Sequence, residues 1–249
     1  MLIVGLTGGI ACGKSTVSKE LRERHHLTVI DADIIAREVV NPDRPAYNKI
    51  ISNFSEIVPD LINEDRSLNR AVLGQAVFGN KERLGILNSI VHPAVKNEIA
   101  RQIMMAYIRL KSMVIVDVPL LYESKLHLIC GLVITVSCDE DVQVERLLSR
   151  NPELTKEDAL KRISSQMSNQ ERNYRSDIVI DNNKSLAILR TSIDSLVEEI
   201  RPNPLCTLLE LFPPFGLISA LFTFMIRRIT DRYKGTTPKH AKKREKEKL

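Results

Sequence analysis

The sequence has 249 residues, of which 43% are hydrophobic and 27% charged, with a formal net charge of +5. This is enough for one large α/β domain or two small ones with a sizeable core. The charge is localised: residues 227–249 carry ten Lys/Arg against three Asp/Glu, leaving 26 basic and 28 acidic groups over 1–226. A body so near neutrality excludes a dedicated nucleic-acid surface.

In chain order, Leu2–Leu6 is a short apolar run of strand type. It leads into Gly8-Gly9-Ile10-Ala11-Cys12-Gly13-Lys14-Ser15, which fits G-x-x-x-x-G-K-[ST], and Thr16 onward starts an amphipathic helix. Strand, glycine-rich turn and helix together define a phosphate-binding loop. The glycines let backbone N–H groups converge on phosphate oxygens, and the helix N-terminus adds its positive end. Lys14 is expected to pair with the β- and γ-phosphates of a nucleotide such as ATP, and Ser15 to offer its hydroxyl to Mg²⁺. Residues 8–16 are therefore the candidate ATP-binding residues, and Thr7, just before the loop, is expected to line the site.

A second apolar run, Leu27–Ile30, ends at Asp31-Ala32-Asp33. Ligands gather at the carboxyl ends of strands in open α/β sheets, so this carboxylate pair is a candidate catalytic site. The plain alternative is that Asp33 caps the helix that follows. From Ala46 to about Leu110 the pattern is mainly helical. Leu68-Asn69-Arg70 opens a helix, Phe78-Gly79-Asn80-Lys81 breaks it, and His92-Pro93 is expected to interrupt the next. Such an insert, about 61–110, predicts a cover over an acceptor site.

Met113–Asp117 reads as a buried parallel strand whose terminal Asp117 is a candidate Mg²⁺ residue. Leu132–Val136 is a fourth strand. The charged helical segment from about 141 to 175 carries Arg146, Arg150, Arg162 and Arg172, and is read as a lid that closes arginines over phosphates. Ile178–Ile180 is a fifth strand; Asn182 after it is a candidate adenine contact. Leu186–Ile200 is a closing helix. The fold class is therefore a P-loop NTPase-type α/β fold, with a five-stranded parallel sheet, helices on both faces, a helical acceptor-binding insert and a helical lid.

Composition changes at Arg201-Pro202. Residues 203–249 form an apolar, then basic, tail in which Pro213-Pro214 leaves Phe215–Ile226 as a clean apolar run. Twelve residues are short for a straight membrane span. Membrane attachment is the favoured reading of the tail, against packing on the body or on a partner, and the tail is expected to be dispensable for catalysis. Cys12, Cys130, Cys138 and Cys206 have no metal-ligand spacing and are expected to be free thiols in a reducing compartment. The N-terminus has no signal-peptide pattern, so a cytoplasmic location is expected, with any attachment on the cytoplasmic face of an intracellular membrane.

These blocks together resemble the dephospho-coenzyme A kinase family. The resemblance rests on Val4–Ile10 with Gly13–Thr16, Asp31–Ile34 with Ala36-Arg37, His92-Pro93, Asp117–Glu123, Gln143–Arg150, Arg162 with Gln166-Met167, and Asp177–Asn182. It covers about residues 1–202. It implies that ATP phosphorylates the ribose 3′-hydroxyl of dephospho-CoA, giving CoA and ADP, the last step of CoA synthesis. It further implies Asp33 as base or positioner, Lys14 and Arg146 on the γ-phosphoryl oxygens, and Thr7, Asp33 and His92 on the acceptor side. Other enzymes of CoA synthesis are conceivable partners. The rival readings are another small-acceptor kinase acting on nucleosides or nucleotides, an NTP-dependent switch, and an inactive NTP-binding membrane scaffold. A GTP switch is disfavoured because no glycine follows an aspartate by three positions, and neither Asn80-Lys81 nor Asn183-Lys184 completes Asn-Lys-x-Asp.

Overall fold

The computed structural model describes residues 1–236. The lysine-rich end of the tail lies outside the described residues. The sheet has five strands: β1 (Leu2–Gly8), β2 (Thr28–Asp31), β3 (Met113–Asp117), β4 (Leu132–Ser137) and β5 (Ile178–Asp181), in the order β2-β3-β1-β4-β5. The β1–β3, β1–β4 and β4–β5 ladders are parallel, with Leu6 beside Asp117 and Ile134. The predicted sheet is thus present, with its three middle strands the most buried because helices cover both faces.

The chain divides into two compact units: residues 1–29 with the chain from 106 onward, and Ile30–Met105. In the first, α1 (Lys14–Glu23) and α9 (Leu186–Ile200) pack on one side of the sheet. Val17, Leu21, Ile193 and Val197 join Val4, Leu6, Ile115 and Ile134 in one buried cluster. These helix residues recur at four-residue steps, the spacing that puts one apolar stripe on a sheet.

The second unit holds α2 (Ala32–Glu38), α3 (Pro45–Phe54), α4 (Arg70–Val77) and most of α5 (Lys81–Ile108). Tyr47, Ile50, Phe54, Leu61 and Leu73 form its buried interior. Asn69 caps α4 by accepting from Val72 N, and Asn80 accepts from Glu82 N and Arg83 N at the start of α5. The helix start at Asn69 and the break at 78–81 fall where the sequence put them. His92-Pro93 does not interrupt α5, which runs on for 28 residues through Pro93. A proline deletes one ladder bond, and the many other bonds of so long a helix carry it across.

Three helices follow β4: α6 (Glu140–Arg150), α7 (Lys156–Ser164) and α8 (Asn169–Arg175). The tail folds as α10 (Pro204–Leu211) and α11 (Pro213–Thr236), each starting at a proline, where a missing N–H costs nothing. Among the described residues no helix is long and apolar enough to cross a membrane. One side of α11 is fastened to the first unit. Arg227 donates to the carbonyls of Cys130 (2.9 Å) and Gly131 (2.7 Å) and pairs with Asp177. Asp231 meets Arg175 (2.5 Å) and His127 (3.1 Å), which lies in a 3₁₀ turn, Leu126–Ile129. The N-terminal ammonium pairs with Glu210 of α10 at 2.7 Å. Packing against the body, the less favoured reading of this segment, is therefore what α10 and α11 do along one side.

Candidate active site

Residues 9–13 connect β1 to α1 through two left-handed residues, Ala11 (φ 59°) and Gly13 (φ 90°). Gly13 is required twice over. Its φ suits glycine, and a Cβ there would lie 2.2 Å from Asn182 Nδ2. At Gly9 a Cβ would meet Asn169, Gln143 and Arg172 within 3.2 Å. The loop is held from several sides. Gln166 Oε1 accepts from Ile10 N (3.1 Å), Gln143 Nε2 donates to Ile10 O (2.7 Å), and Asn182 Nδ2 donates to Cys12 O (2.8 Å). Gln143, Gln166 and Asn169 come from the charged helical segment, so the sequence placed their stretch but not their grip on the loop.

Lys14 and Ser15 open α1. Lys14 Nζ lies 2.7 Å from Asp117 Oδ1, and the Asp117 side chain is 1% exposed. The pairing register explains this: β3 runs beside β1, so the end of β3 arrives next to the loop that leaves β1. Ser15 is exposed. A hydroxyl and a carboxylate oxygen are the donors a hard cation takes, and Mg²⁺ needs few protein ligands when phosphate and water complete its shell. The pair Ser15 and Asp117 thus fits Mg²⁺, although among the described residues no group of three His, Cys, Asp or Glu side chains gathers as a protein-only cage.

Arg146 on α6 donates NH2 to Asn182 O at 2.9 Å, and its NH1 is buried without a hydrogen-bond partner. With Gly13, Thr16, Asn182 and Leu186 it lines a cavity of about 230 Å³. Arg146 and Asn182, 36 positions apart, thus converge on the loop. Arg172, on α8, is 1% exposed and gives NH1 to Asn169 Oδ1, while Nε and NH2 have no hydrogen-bond partner. Burial holds its pKa below the usual guanidinium range. The sequence grouped Arg172 with its neighbours; only burial singles it out. Thr7 is fully buried and donates to Pro119 O (2.8 Å), tying β1 to the segment after β3.

In the second unit, the Asp31 side chain caps α2 by accepting from Asp33 N (2.9 Å) and Ile34 N (3.1 Å). The cap is Asp31 and not Asp33, because the helix starts at Ala32, two residues earlier than the apolar pattern suggests. Asp33 is exposed in the first turn. His92 is exposed on α5.

A parallel sheet, a left-handed glycine loop and a lysine at the head of the next helix define the class: an α/β phosphate-loop protein of the small-molecule kinase type. A sequence model of the dephospho-CoA kinase family matches residues 2–187. The chain is 49% identical over 227 residues to dephospho-CoA kinase CAB5 of Saccharomyces cerevisiae, covering 91% of this chain and 94% of that one. It is 44% identical to a dephospho-CoA kinase of Bacillus cereus, over 79% of this chain and 96% of that one. Among solved structures, a dephospho-CoA kinase from Campylobacter jejuni superposes with a TM-score of 0.63 at 29% identity, over 80% of this chain and 96% of that one. The chain belongs to the dephospho-CoA kinase family. The yeast match is 30 residues longer than the bacterial one, so part of the tail is shared beyond the bacterial core.

Proposed function

We propose that this chain transfers the γ-phosphoryl group of ATP to the ribose 3′-hydroxyl of dephospho-CoA, and that its residues divide the work as follows. The observation that carries the reading is the left-handed loop that ends in Lys14 at the head of α1, 2.7 Å from a buried carboxylate. Backbone N–H groups of residues 8–16 and the α1 N-terminus receive the phosphates. Lys14 exchanges Asp117 for β- and γ-phosphate oxygens. Arg146 brings an unpartnered NH1 to the nucleotide from the Asn182 side, and Asn182 reads the adenine edge. Ser15 and Asp117 would hold Mg²⁺, which neutralises charge on the phosphate oxygens when bound. The segment 141–175 acts as a lid, and the insert carries the acceptor.

Asp33 accepts the 3′-hydroxyl proton or orients that hydroxyl. The capping by Asp31 supports this, since it leaves the Asp33 carboxylate without that duty. His92 contacts the acceptor, and Thr7 keeps the segment after β3 in register. Phosphoryl transfer is mostly positioning and electrostatics, which these groups supply.

The test is ATP-dependent phosphorylation of dephospho-CoA beside adenosine and AMP. Dephospho-CoA is expected to dominate in kcat/KM; preferential turnover of either competitor overturns the acceptor assignment. Asp33→Asn is expected to lower kcat by about 10²–10⁴-fold. Near-normal turnover in that variant removes its role as base.

For the tail, the reading is an interfacial contact and not a span. Leu217, Ile218, Leu221, Phe222 and Met225 are all exposed on α11 at helical spacing. Arg228 and Arg232 continue the same stripe, an arrangement that suits an anionic lipid surface.

A further inference from the structure

A helix on a protein surface normally turns its apolar side to the core. α11 does the reverse. Gly216, Ser219, Thr223, Arg227, Asp231 and Lys234 recur at three- and four-residue steps and are half-buried, while the apolar residues between them are exposed. The inner side therefore meets the body through polar groups, and part of what it meets is α8. Asp231 accepts from Arg175, the last residue of α8, at 2.5 Å. Lys234 Nζ donates to Arg175 O at 3.4 Å, a cation on the last carbonyl of a helix. The Arg175 guanidinium lies 4.5 Å from the centre of the Tyr122 ring, and Ser176 Oγ, next in the chain, bonds Tyr122, Thr135 and Arg172 O. The Arg175 side chain is only 14% exposed, and its other acid, Glu171, stands off at 3.7 Å. The opposite end of α8 rests on the phosphate loop. Asn169, in its first turn, donates Nδ2 to Cys138 O (2.9 Å) and to Gln143 Oε1 (2.7 Å), and Gln143 in turn donates to Ile10 O. Arg172, one turn on, donates to Asn169 Oδ1. A Cβ at Gly9 would lie 2.7 Å from that oxygen and 3.2 Å from Arg172 NH1. α8 has seven residues, which is about 10 Å of helix. So short a helix does not hold itself together; its end contacts do.

We propose that Asp231 is a positioning residue for nucleotide binding: by pairing with Arg175 it anchors the C-terminal end of α8, and so keeps Asn169 and Arg172 pressed against the phosphate loop. Without that carboxylate, a guanidinium mostly out of water keeps no short-range counter-charge and turns toward solvent. The last turn of α8 is then freed, and a helix of two turns frays from either end. Asn169, Gln143 and Arg172 release the loop, whose amides must stand in one arrangement to receive phosphates. The loss falls on ATP binding. The loop amides hold the nucleotide in the ground state as in the transition state, so KM for ATP rises while kcat stays. The acceptor, carried by the insert, keeps its KM. The tail, dispensable for catalysis by its composition, thereby becomes part of the support of the nucleotide site. This role rests on the kinase reading and needs nothing from the outer side of α11.

The test measures steady-state kinetics on the full chain without lipid, varying ATP and dephospho-CoA in turn. Asp231→Asn and Arg175→Gln are each expected to raise KM for ATP about fivefold or more, with kcat and KM for dephospho-CoA within about twofold of the unaltered chain. The double variant should be no weaker for ATP than Arg175→Gln alone, because both changes remove one pair. Asp231→Glu, which keeps the charge, should restore most of the ATP affinity. Ile229→Ser, exposed on the outer side two residues away, should leave all three constants unchanged. Amide hydrogen exchange without nucleotide adds a readout that general weakening does not produce. In Asp231→Asn, exchange should quicken in residues 9–13 and 169–175 but not in α9. An unchanged KM for ATP in both single variants overturns the proposal. So does a fall in kcat at unchanged KM, effects that add in the double variant, or faster exchange spread evenly over the chain. If the unaltered chain phosphorylates no dephospho-CoA, the kinase reading fails, while the exchange pattern still decides the role of Asp231.

Discussion

The phosphate loop and the C-terminal helices lie in the same compact unit, yet they meet their surroundings in opposite ways. Around the loop, side chains from α6, α8, the α7–α8 connection and the residue after β5 press on the backbone, and a methyl at Gly9 or Gly13 would collide with them. Along α11, contacts gather on the side of Arg227 and Asp231, while Leu217, Leu221 and Phe222 are each more than 60% exposed. Where backbone geometry is the working part, packing tolerates no added atom. On α11, by contrast, the fold leaves an apolar stripe uncovered.

The comparison predicts that damage at the loop is severe and damage on the outer stripe is slight. Lys14→Ala should lower kcat/KM by about a thousandfold or more. It also removes a partner from the nearly inaccessible Asp117, so a loss of stability of about 1–3 kcal/mol should accompany it. Steady-state kinetics with denaturant unfolding separates the two effects. Gly13→Ala should cost about 1–3 kcal/mol through left-handed strain alone and weaken ATP binding further through the clash with Asn182. Thermal unfolding and ATP titration check it.

An intermediate effect is expected where α11 is fastened. Burial lowers the pKa of His127 from its ordinary 6.5, outweighing the opposite pull of Asp231. A lowered histidine is neutral in the fold and takes up a proton on unfolding. Its contribution is therefore present above pH 6.5 and lost as pH falls below that value. Melting temperature should drop between about pH 7 and 5, and His127→Gln should flatten that slope. Smallest of all, replacing Leu221 and Phe222 by serine should change stability by no more than about 0.5 kcal/mol. The same pair should abolish sedimentation with anionic vesicles; unchanged sedimentation would sink the interfacial reading.

Much of this was legible along the chain. Apolar runs marked all five strands, most firmly the three middle ones, which are buried on both faces and cannot alternate. The phosphate loop was legible because its string records a backbone need, and Asn69 and Asn80 because caps are local. Pro93 misled because a breaker's local cost says nothing of the bonds a long helix holds on either side. Asp31 and Asp33 could not be sorted from spacing, since the cap depends on where the helix begins. Arg172 was illegible, and so was the meeting of Cys12 with Asn169: burial and contact between positions 157 apart in sequence leave no periodic trace.

The sequence by itself determined the sheet, the glycine loop with Lys14 and Ser15, and the apolar stripe of the tail. All three are written in residue type at short spacing, where backbone conformation and hydrophobic period act directly. Only the tertiary structure decided that Lys14 rests on Asp117, that Asn182 closes over Gly13, and that α11 holds the 3₁₀ turn through Asp231 and the two residues after it through Arg227. Those contacts depend on strand order and helix docking, which bring distant charges and amides within bonding distance only once the core has formed.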